Sequence, residues 1–232
     1  GIHALNMAAL SKKKGIDLII CDHHIPGNVL PNAYAVLDPK RKDCLYPFKE
    51  LSGCGVGFKF LQGFCLQHTL DLAALYEYLD LVAVSIASDI VPMVGENRIL
   101  SYFGMQKINS NPLKSIQALI DIAGVKKPIS ISDVVFYIGP RINAAGRLKH
   151  AHESVDLLIS EDPDQLKNFA QRLNEVNKKR QNIDQKITEE ALKTIYEELP
   201  ETAKSTVLFN PKWHKGIVGI VASRCIEHYF SP

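Results

Sequence analysis

A short apolar segment that ends in three potential metal ligands places the strongest limit on how this chain can fold. Residues 16–21, IDLIIC, have the continuous apolar character of a parallel strand that is buried on both faces. Asp22, His23 and His24 follow it directly, and a Pro-Gly pair then turns the chain. A second strand is predicted at residues 33–38, AYAVLD. With a helix ahead of the first strand, this order predicts an α/β sheet whose ligand site lies at the carboxyl ends of its strands.

The acid and the two histidines are costly to bury and are good metal ligands. A carboxylate and two imidazoles suit Mn²⁺, Mg²⁺ or Zn²⁺. Neighbouring side chains of an extended segment point to opposite sides, so His23 and His24 are not expected to bind one ion in the same way. One of them could bind the metal while the other faces a substrate. The alternative is a polar strand end whose histidines are only hydrogen-bonded.

From residue 53 onward the apolar spacing is that of helices. The segment 70–89 is apolar on nearly all sides, which predicts a core helix that ends at Asp89. An ionised carboxylate at that position needs a partner, although it could simply cap a turn. Further helices follow, and the last of them is predicted to break at Gly139-Pro140.

Residues 139–151, GPRINAAGRLKHA, combine two arginines with small residues. Arg141 and Arg147 can each bind a phosphate through two hydrogen bonds, and the small residues around Asn143 let the backbone come close to a ligand. The alternative is a helix contact made by the small residues, with both arginines on the surface. The histidine pair at positions 150 and 152 is interpreted as the start of a helix rather than as a ligand pair.

Residues 162–199 differ from the rest of the chain because they contain neither Gly nor Pro after Pro163. Asp162 is a favourable N-cap and Pro163 a favourable first helical residue, so a helix of about ten turns is predicted. Its charges alternate in sign and its apolar positions are sparse. This pattern favours a solvated connector between domains.

After this helix, residues 205–209, STVLF, are predicted as a strand and residues 219–230 as a helix. The turn between them places Gly216 and Gly219 where free N–H groups could bind an anion. Tight packing is the alternative explanation for the two glycines. Trp213, at the start of the turn, could stack on a base.

The composition limits the class of protein. The 27 basic and 25 acidic residues give a net charge of +2, so a nucleic acid would have to be bound by a local patch. Five scattered cysteines without a CxxC pair fit the reduced thiols of a cytoplasmic protein. No apolar run reaches about 18 residues, so no membrane association is expected.

Taken in order, four stretches resemble the DHH phosphoesterase superfamily, and within it the RecJ-type exonucleases of single-stranded DNA. They are CDHH at 21–24, ASDIVP at 87–92, PRINAAGR at 140–147 and WHKGIVGIVASR at 213–224. The resemblance implies an α/β fold with three parts. These are a parallel-sheet DHH domain with a helical part over residues 1–160, a long connecting helix over 161–200, and the beginning of an α/β DHHA1 domain over 201–232.

The resemblance also implies roles for single residues. His23 and Asp89 would be ligands of a site for two divalent ions, Mn²⁺ or Mg²⁺. His24 would face the scissile phosphate, and Asp22 would orient a histidine. The nucleic-acid backbone or a phosphate would be bound by a further set of residues: Arg141, Asn143, Arg147, His214, Gly216 and Gly219.

The implied activity is metal-dependent phosphodiester hydrolysis by a 5′→3′ exonuclease of single-stranded DNA, in DNA repair and recombination. The implied partners are single-stranded DNA and a single-strand-binding protein or a helicase. The superfamily also has acidic motifs ahead of the DHH stretch, whereas no acidic residue precedes Asp17 here. We therefore expect the first strands and the remaining metal ligands to lie upstream of Gly1, and this chain alone to be inactive.

Two other functions agree with parts of the sequence. One is a small DHH phosphodiesterase that cleaves short oligonucleotides or cyclic dinucleotides, or a related inorganic pyrophosphatase. The long helix and the PRINAAGR stretch favour the exonuclease over these. The other is a degenerate subunit without activity that binds nucleic acid or a replication partner, and the intact DHH stretch and Asp89 argue against it.

Overall fold

The computed structural model describes residues 1–148, 151–198 and 203–229. The chain divides into two compact units, residues 1–139 and residues 140–232, and each is considered by itself. His150 of the histidine pair lies outside the described residues, as do the end of the segment expected at 161–200 and both ends of that expected at 201–232.

The first unit contains the predicted parallel sheet. Helix α1 spans Leu5–Lys13, strand β1 spans Ile19–Cys21 and strand β2 spans Ala35–Leu37. The strands run parallel, with Ile20 opposite Val36. Ile20 is buried whereas Ile19 is 46% exposed, so β1 is less buried than its sequence predicts.

The remainder of the first unit is helical. Its next helices are α2 at Gly53–Gln67, α3 at Ala73–Tyr76, α4 at Leu79–Asp89, α5 at Gly95–Ser110 and α6 at Lys114–Ala123. The segment 70–89, predicted as one helix, is therefore two, because the chain turns between α3 and α4. Helix α4 is the core helix that the sequence predicts, with five buried apolar residues: Val82, Ala83, Val84, Ile86 and Ala87.

The chain does not break at Gly139-Pro140. Helix α7 spans Ile131–Asp133, a π-helical turn covers Val134–Ile138, and α8 follows at Gly139–Leu148. Proline disrupts an α-helix because its ring clashes with the carbonyl four residues earlier. A π-helical turn is wider than an α-helical turn, which gives the ring of Pro140 room. The predicted break is therefore wrong.

The second unit is built around one long helix. Its helices after α8 are α9 at His152–Ile159, α10 at Pro163–Glu198 and α11 at Val218–His228. Asp162 caps α10, since its Oδ1 accepts the N–H of Gln165 over 2.8 Å. The solvation predicted for α10 is wrong for one of its faces. That face is buried at apolar residues such as Leu173 and Ala191, and the helix packs with α9 and α11.

The strand predicted at residues 205–209 is not formed. No residue in the described part of the chain pairs with this segment, and a strand requires a partner for its backbone hydrogen bonds. Val207 and Phe209 are 82% and 86% exposed.

The α/β class predicted from the sequence is confirmed, as a small parallel sheet within a largely helical chain. Within residues 1–148, 151–198 and 203–229, no helix is both long and apolar enough to cross a membrane.

Candidate metal centre and nucleic-acid interface

Asp22 is the buried centre of the site in the first unit. It follows β1 and is 7% exposed. Its Oδ2 accepts the N–H of Ile2, and its Oδ1 accepts the N–H of His23 over 2.7 Å and of His24 over 3.2 Å. The Nδ1 of His24 lies 2.7 Å from the same Oδ1. Burial alone would raise the pKa of Asp22, but these hydrogen bonds, that of the His24 ring foremost, hold the pKa well below its ordinary value.

His23 faces the end of α4. Its Nε2 lies 3.8 Å from Oδ2 of Asp89, the last residue of that helix. Ile90 then adopts a left-handed conformation, with φ of 52°, which ends the helix. The first turn of α2 also approaches the imidazole, because a Cβ at Gly53 would be 3.4 Å from Cδ2 of His23. The imidazole therefore lies close to the ends of two helices, with 15% of the side chain exposed.

His24 is placed differently from the sequence expectation. The side chains of His23 and His24 do not point to opposite sides, since their ring centroids lie only 4.5 Å apart. The chain is bent at His24, so the alternation of an extended strand does not apply there. The His24 side chain is 65% exposed. Since its Nδ1 is bonded to Asp22, its Nε2 is the nitrogen left to meet a ligand.

These side chains form a compact set of donor atoms. One ligand atom each from Asp22, His23 and His24 lies within 4.8 Å of the others. With Asp89, the set offers two carboxylates and two imidazoles, a combination that suits Mn²⁺ and Mg²⁺ at carboxylate oxygens and Mn²⁺ at imidazole nitrogens.

Asp38 is an acid of this region that the sequence analysis missed. It follows β2 at the same edge of the sheet where Asp22 follows β1, and the N–H of Asp22 donates to the carbonyl of Leu37 over 2.9 Å. Asp38 is 2% exposed, and its Oδ2 has no hydrogen-bond partner among the described residues. Burial, foremost, and the charge of Asp22 raise the pKa of Asp38. Asp38 directly follows the second predicted strand, so the expectation of a ligand site at the carboxyl ends of the strands applies to it as well as to Asp22.

In the second unit, the structure brings two predicted residues together. Arg147 Nη1 donates to the carbonyl of Gly216 over 3.3 Å. A Cβ at Gly216 would lie 2.5 Å from the carbonyl oxygen of Arg147, so only glycine allows this turn to lie against α8. The imidazole Nδ1 of His214 accepts the N–H of Gly216 over 3.1 Å, which fixes the shape of the turn.

The other predicted residues are placed as follows. Arg141 Nε donates to Oδ1 of Asn174 on α10 over 3.1 Å, and Asn143 is half-buried on α8. Gly219 is exposed in the first turn of α11. Trp213 donates through Nε1 to Glu190 over 2.9 Å and packs in the apolar cluster between α10 and α11, which favours an anchoring role over base stacking.

A polar face of α10 was also missed. Asp184, fully buried, accepts a hydrogen bond from Arg180 of the same helix and forms an ion pair with Arg224 of α11. The signal was the spacing of three or four residues that repeats along this face: Asn174, Asn177, Arg180, Asp184 and Thr188. Such spacing of polar residues predicts a polar contact with a neighbouring element as readily as a solvated surface.

Residues 1–86 match the model of the DHH family, N-terminal domain. This part of the chain is therefore similar to a DHH-family N-terminal domain. The resemblance to the DHH superfamily is confirmed at the first of the four stretches, residues 21–24.

The similarity continues beyond that domain. The chain is 37% identical over 234 residues to the single-stranded-DNA-specific exonuclease RecJ of Bacillus subtilis, covering 100% of this chain and 29% of that protein. It is 36% identical over 238 residues to RecJ of Escherichia coli, covering 96% and 41%. The chain thus spans less than half the length of these curated relatives.

Solved structures show the same fold around the DHH domain. A crystal structure of RecJ in complex with Mn²⁺ from Thermus thermophilus matches with a TM-score of 0.84 and 29% identity, over 100% of this chain and 34% of that one. A crystal structure of an exonuclease RecJ bound to manganese matches with a TM-score of 0.81 and 30% identity, over 100% and 57%.

Proposed function

We propose that the protein to which this chain belongs is a divalent-metal-dependent nuclease that removes nucleotides from single-stranded DNA in the 5′→3′ direction, in DNA repair and recombination. The observation that carries this proposal is the donor set of Asp22, His23, His24 and Asp89, in a chain whose relatives are single-stranded-DNA-specific exonucleases.

Within the proposed site, His23 and Asp89 are the ligands for Mn²⁺ or Mg²⁺. The spacing of 3.8 Å between Nε2 and Oδ2 leaves no direct hydrogen bond between them, and it supports an ion shared by the two atoms. Divalent cations at such a site would acidify a water molecule and stabilise the negative charge of the phosphate. That Mn²⁺ and Mg²⁺ occur in the structures of RecJ relatives supports the choice of metal.

Asp22 and His24 have a different role in the proposal. The ionised Asp22 fixes the ring of His24 through Nδ1, so that Nε2 can exchange a proton or hydrogen bond with a phosphate oxygen. The exposure of the His24 side chain, 65%, leaves room for a substrate on that side.

We also propose that Arg141, Arg147 and the turn at His214–Gly219 bind the phosphates of the strand. Arg147 and Gly216 are joined by a hydrogen bond, so the two stretches act as one surface in the second unit. Arginine suits this function because its planar guanidinium can bind a phosphate through two hydrogen bonds.

The partners of the whole protein are part of the same proposal. A single-strand-binding protein or a helicase fits an enzyme that needs a strand freed from a duplex. Cytoplasmic location is supported by the five free cysteines, which suit a reducing compartment.

The direct test is release of nucleotides by the full-length protein. Single strands and duplexes labelled at either end are incubated with Mn²⁺, with Mg²⁺ or with EDTA. The proposal expects nucleotide release from the 5′ end of single strands that requires the metal and is much slower on duplexes. Equal cleavage of both substrates, or cleavage in EDTA, would overturn it.

A series of substrate lengths separates the alternatives. A preference for dinucleotides or cyclic dinucleotides over long strands would support a small DHH phosphodiesterase. Binding of single strands without cleavage under every metal condition would support a subunit that has lost activity.

A further inference from the structure

Asp184 joins two arginines that are far apart in the sequence. It lies within α10 and is fully buried. Its Oδ2 accepts a hydrogen bond from Nη1 of Arg180 over 3.3 Å, and it forms an ion pair with Nη2 of Arg224, on α11, at 3.0 Å. One carboxylate oxygen therefore contacts a guanidinium from each of two helices.

The two arginines differ in exposure and therefore in what they can bind. The Arg180 side chain is 11% exposed, and its other Nη donates to Oδ1 of Asn177 over 2.8 Å, so it belongs to the buried framework. The Arg224 side chain is 45% exposed. A guanidinium has five N–H donors, so Arg224 keeps donors for a ligand while Asp184 occupies one of its nitrogens.

The local charge points to an anion as that ligand. One carboxylate between two guanidiniums leaves one positive charge unmatched. Burial, foremost, lowers the pKa of Arg180, and the nearby charges of Arg224 and Arg147 lower it further, against the opposite effect of Asp184. A half-buried surplus of positive charge is favourable where an anion with several acceptor oxygens completes it.

We propose that Asp184 is a positioning residue: it holds Arg224 in the orientation in which Arg224 binds a phosphate of the single strand. This inference rests on the proposed binding of single-stranded DNA by the second unit. Without the carboxylate, Arg180 and Arg224 repel each other, and Arg224, the more exposed of the two, turns toward solvent.

Asp184→Asn gives the decisive measurement, because two explanations predict opposite signs. If Asp184 only lowered the local positive charge, removal of its charge would tighten binding of the anionic strand. If it positions Arg224, binding weakens, by roughly tenfold, the value of one charged hydrogen bond. Binding of an oligothymidylate to the full-length protein is measured by fluorescence anisotropy in EDTA, which prevents cleavage, over a range of salt concentrations.

The salt dependence provides a second readout that a merely structural role would not change. Loss of one phosphate contact with a single strand reduces the slope of log K against log salt by about 0.7. Arg224→Gln and Asp184→Asn are both expected to give this reduction. The double variant should bind no more weakly than Arg224→Gln alone, because both changes remove the same contact.

Glu197→Gln is the matched control. Glu197 is an exposed acid of the same helix whose contact is with Lys193, 3.9 Å away, so its loss changes the net charge equally without touching Arg224. If Asp184→Asn does not fold, as judged by circular dichroism, Arg224→Lys replaces it. That variant keeps the charge but loses the planar fork, so it should bind more weakly than the wild type and no more weakly than Arg224→Gln.

The outcomes distinguish the two proposals. Unchanged or tighter binding by a folded Asp184→Asn protein, or unchanged binding by Arg224→Gln or Arg224→Lys, overturns the role of Asp184 and leaves the proposed function standing. Absence of binding by the wild-type protein overturns both.

Discussion

His23 and His24 are adjacent in the sequence but meet different neighbours. The ring of His23 lies close to the first turn of α2 and to the Asp89 end of α4, while that of His24 is exposed and bonded to Asp22. The side chains that bind a metal most firmly are those whose position is fixed by surrounding structure. This difference favours the separate roles proposed for the two histidines, His23 at the metal and His24 at the substrate.

This difference predicts two distinct effects of alanine substitution. His23→Ala and Asp89→Ala should weaken Mn²⁺ binding by at least about tenfold, because each removes a ligand atom. His24→Ala should leave the affinity for Mn²⁺ within about threefold and lower kcat by roughly 10²–10⁴, the range of a lost proton-transfer group. Calorimetric titration with Mn²⁺ and steady-state kinetics on the full-length protein separate the two. The same loss of metal affinity in all three variants would contradict the assignment.

Asp38 predicts a dependence of stability on pH. Its pKa is raised in the folded state, so the folded protein binds this proton more tightly than the unfolded chain, whose Asp pKa is about 3.9. Stability is therefore lost as pH rises from about 4 through the folded pKa. Asp38→Asn removes this titration. As pH rises, the variant should therefore become more stable relative to the wild type. The free energy of unfolding of both proteins is measured by urea unfolding in EDTA at several pH values. If the difference in stability between the two proteins is constant, or changes in the opposite direction, burial does not disfavour the ionised form of Asp38.

At the scale of helices and strands, the sequence predicted what depends on local pattern. Helices α1, α2 and α10, the two strands and the end of α4 at Asp89 were all predicted, because apolar spacing, N-caps and stop signals are properties of a few neighbouring residues. These elements also brought the histidines and Asp89 into the proposed metal site.

The errors arose where distant residues decide the structure. The π-helical turn before Pro140 keeps the chain helical where a local rule predicts a break. The polar face of α10 is buried because Arg224, forty residues after Asp184, supplies its partner. Residues 205–209 contain the β-branched and aromatic residues typical of a strand, but a strand requires pairing, which no rule of local sequence supplies. Asp38 is different, because its position directly after the second predicted strand is visible in the sequence. Only the residues after the first strand were considered as ligands.

The packing of α4 on α5 depends on one glycine. A Cβ at Gly104 would meet the carbonyl oxygen of Leu79 and would lie 2.5 Å from Cβ of Ala83. Backbone atoms cannot move aside cheaply, so Gly104→Ala should lower the free energy of unfolding by about 1–3 kcal/mol, as other overpacked cores do. Gly63→Ala is the control, because nothing lies within 4 Å of a Cβ at that position of α2. It should stabilise by about 0.5–1 kcal/mol through helix propensity. Equal effects of the two changes, measured by urea unfolding, would show that the α4–α5 contact is looser than described.

At the scale of the whole molecule, charge is balanced in each unit. Residues 1–139 carry 13 basic and 12 acidic residues, and residues 140–232 carry 14 and 13. Neither unit therefore attracts an anionic strand by its net charge, and affinity must come from the arrangement of a few arginines. The acidic and imidazole ligands proposed for the metal are all in the first unit, while the arginines proposed for phosphates are in the second. The metal is thus proposed to bind in the first unit alone, whereas the strand, apart from its contact with His24, is proposed to bind through residues of the second unit.

This division predicts separate footprints in hydrogen exchange. Mn²⁺ should slow amide exchange at residues 19–24 and 82–90, and an oligothymidylate in EDTA should slow it at residues 140–148 and 213–224. A ligand at 100 times its Kd stabilises the state that it binds by about 2.7 kcal/mol. The exchange rate of amides that exchange only when the bound site opens should therefore fall by about a hundredfold. In the full-length protein, Asp89→Ala should weaken the Mn²⁺ footprint by at least about tenfold and keep that of the oligonucleotide, whereas Arg147→Gln should weaken the oligonucleotide footprint and keep that of Mn²⁺. Mass spectrometry of peptides resolves the four segments. Protection of residues 213–224 by Mn²⁺ alone, or none at residues 19–24, would contradict the proposed placement of the metal.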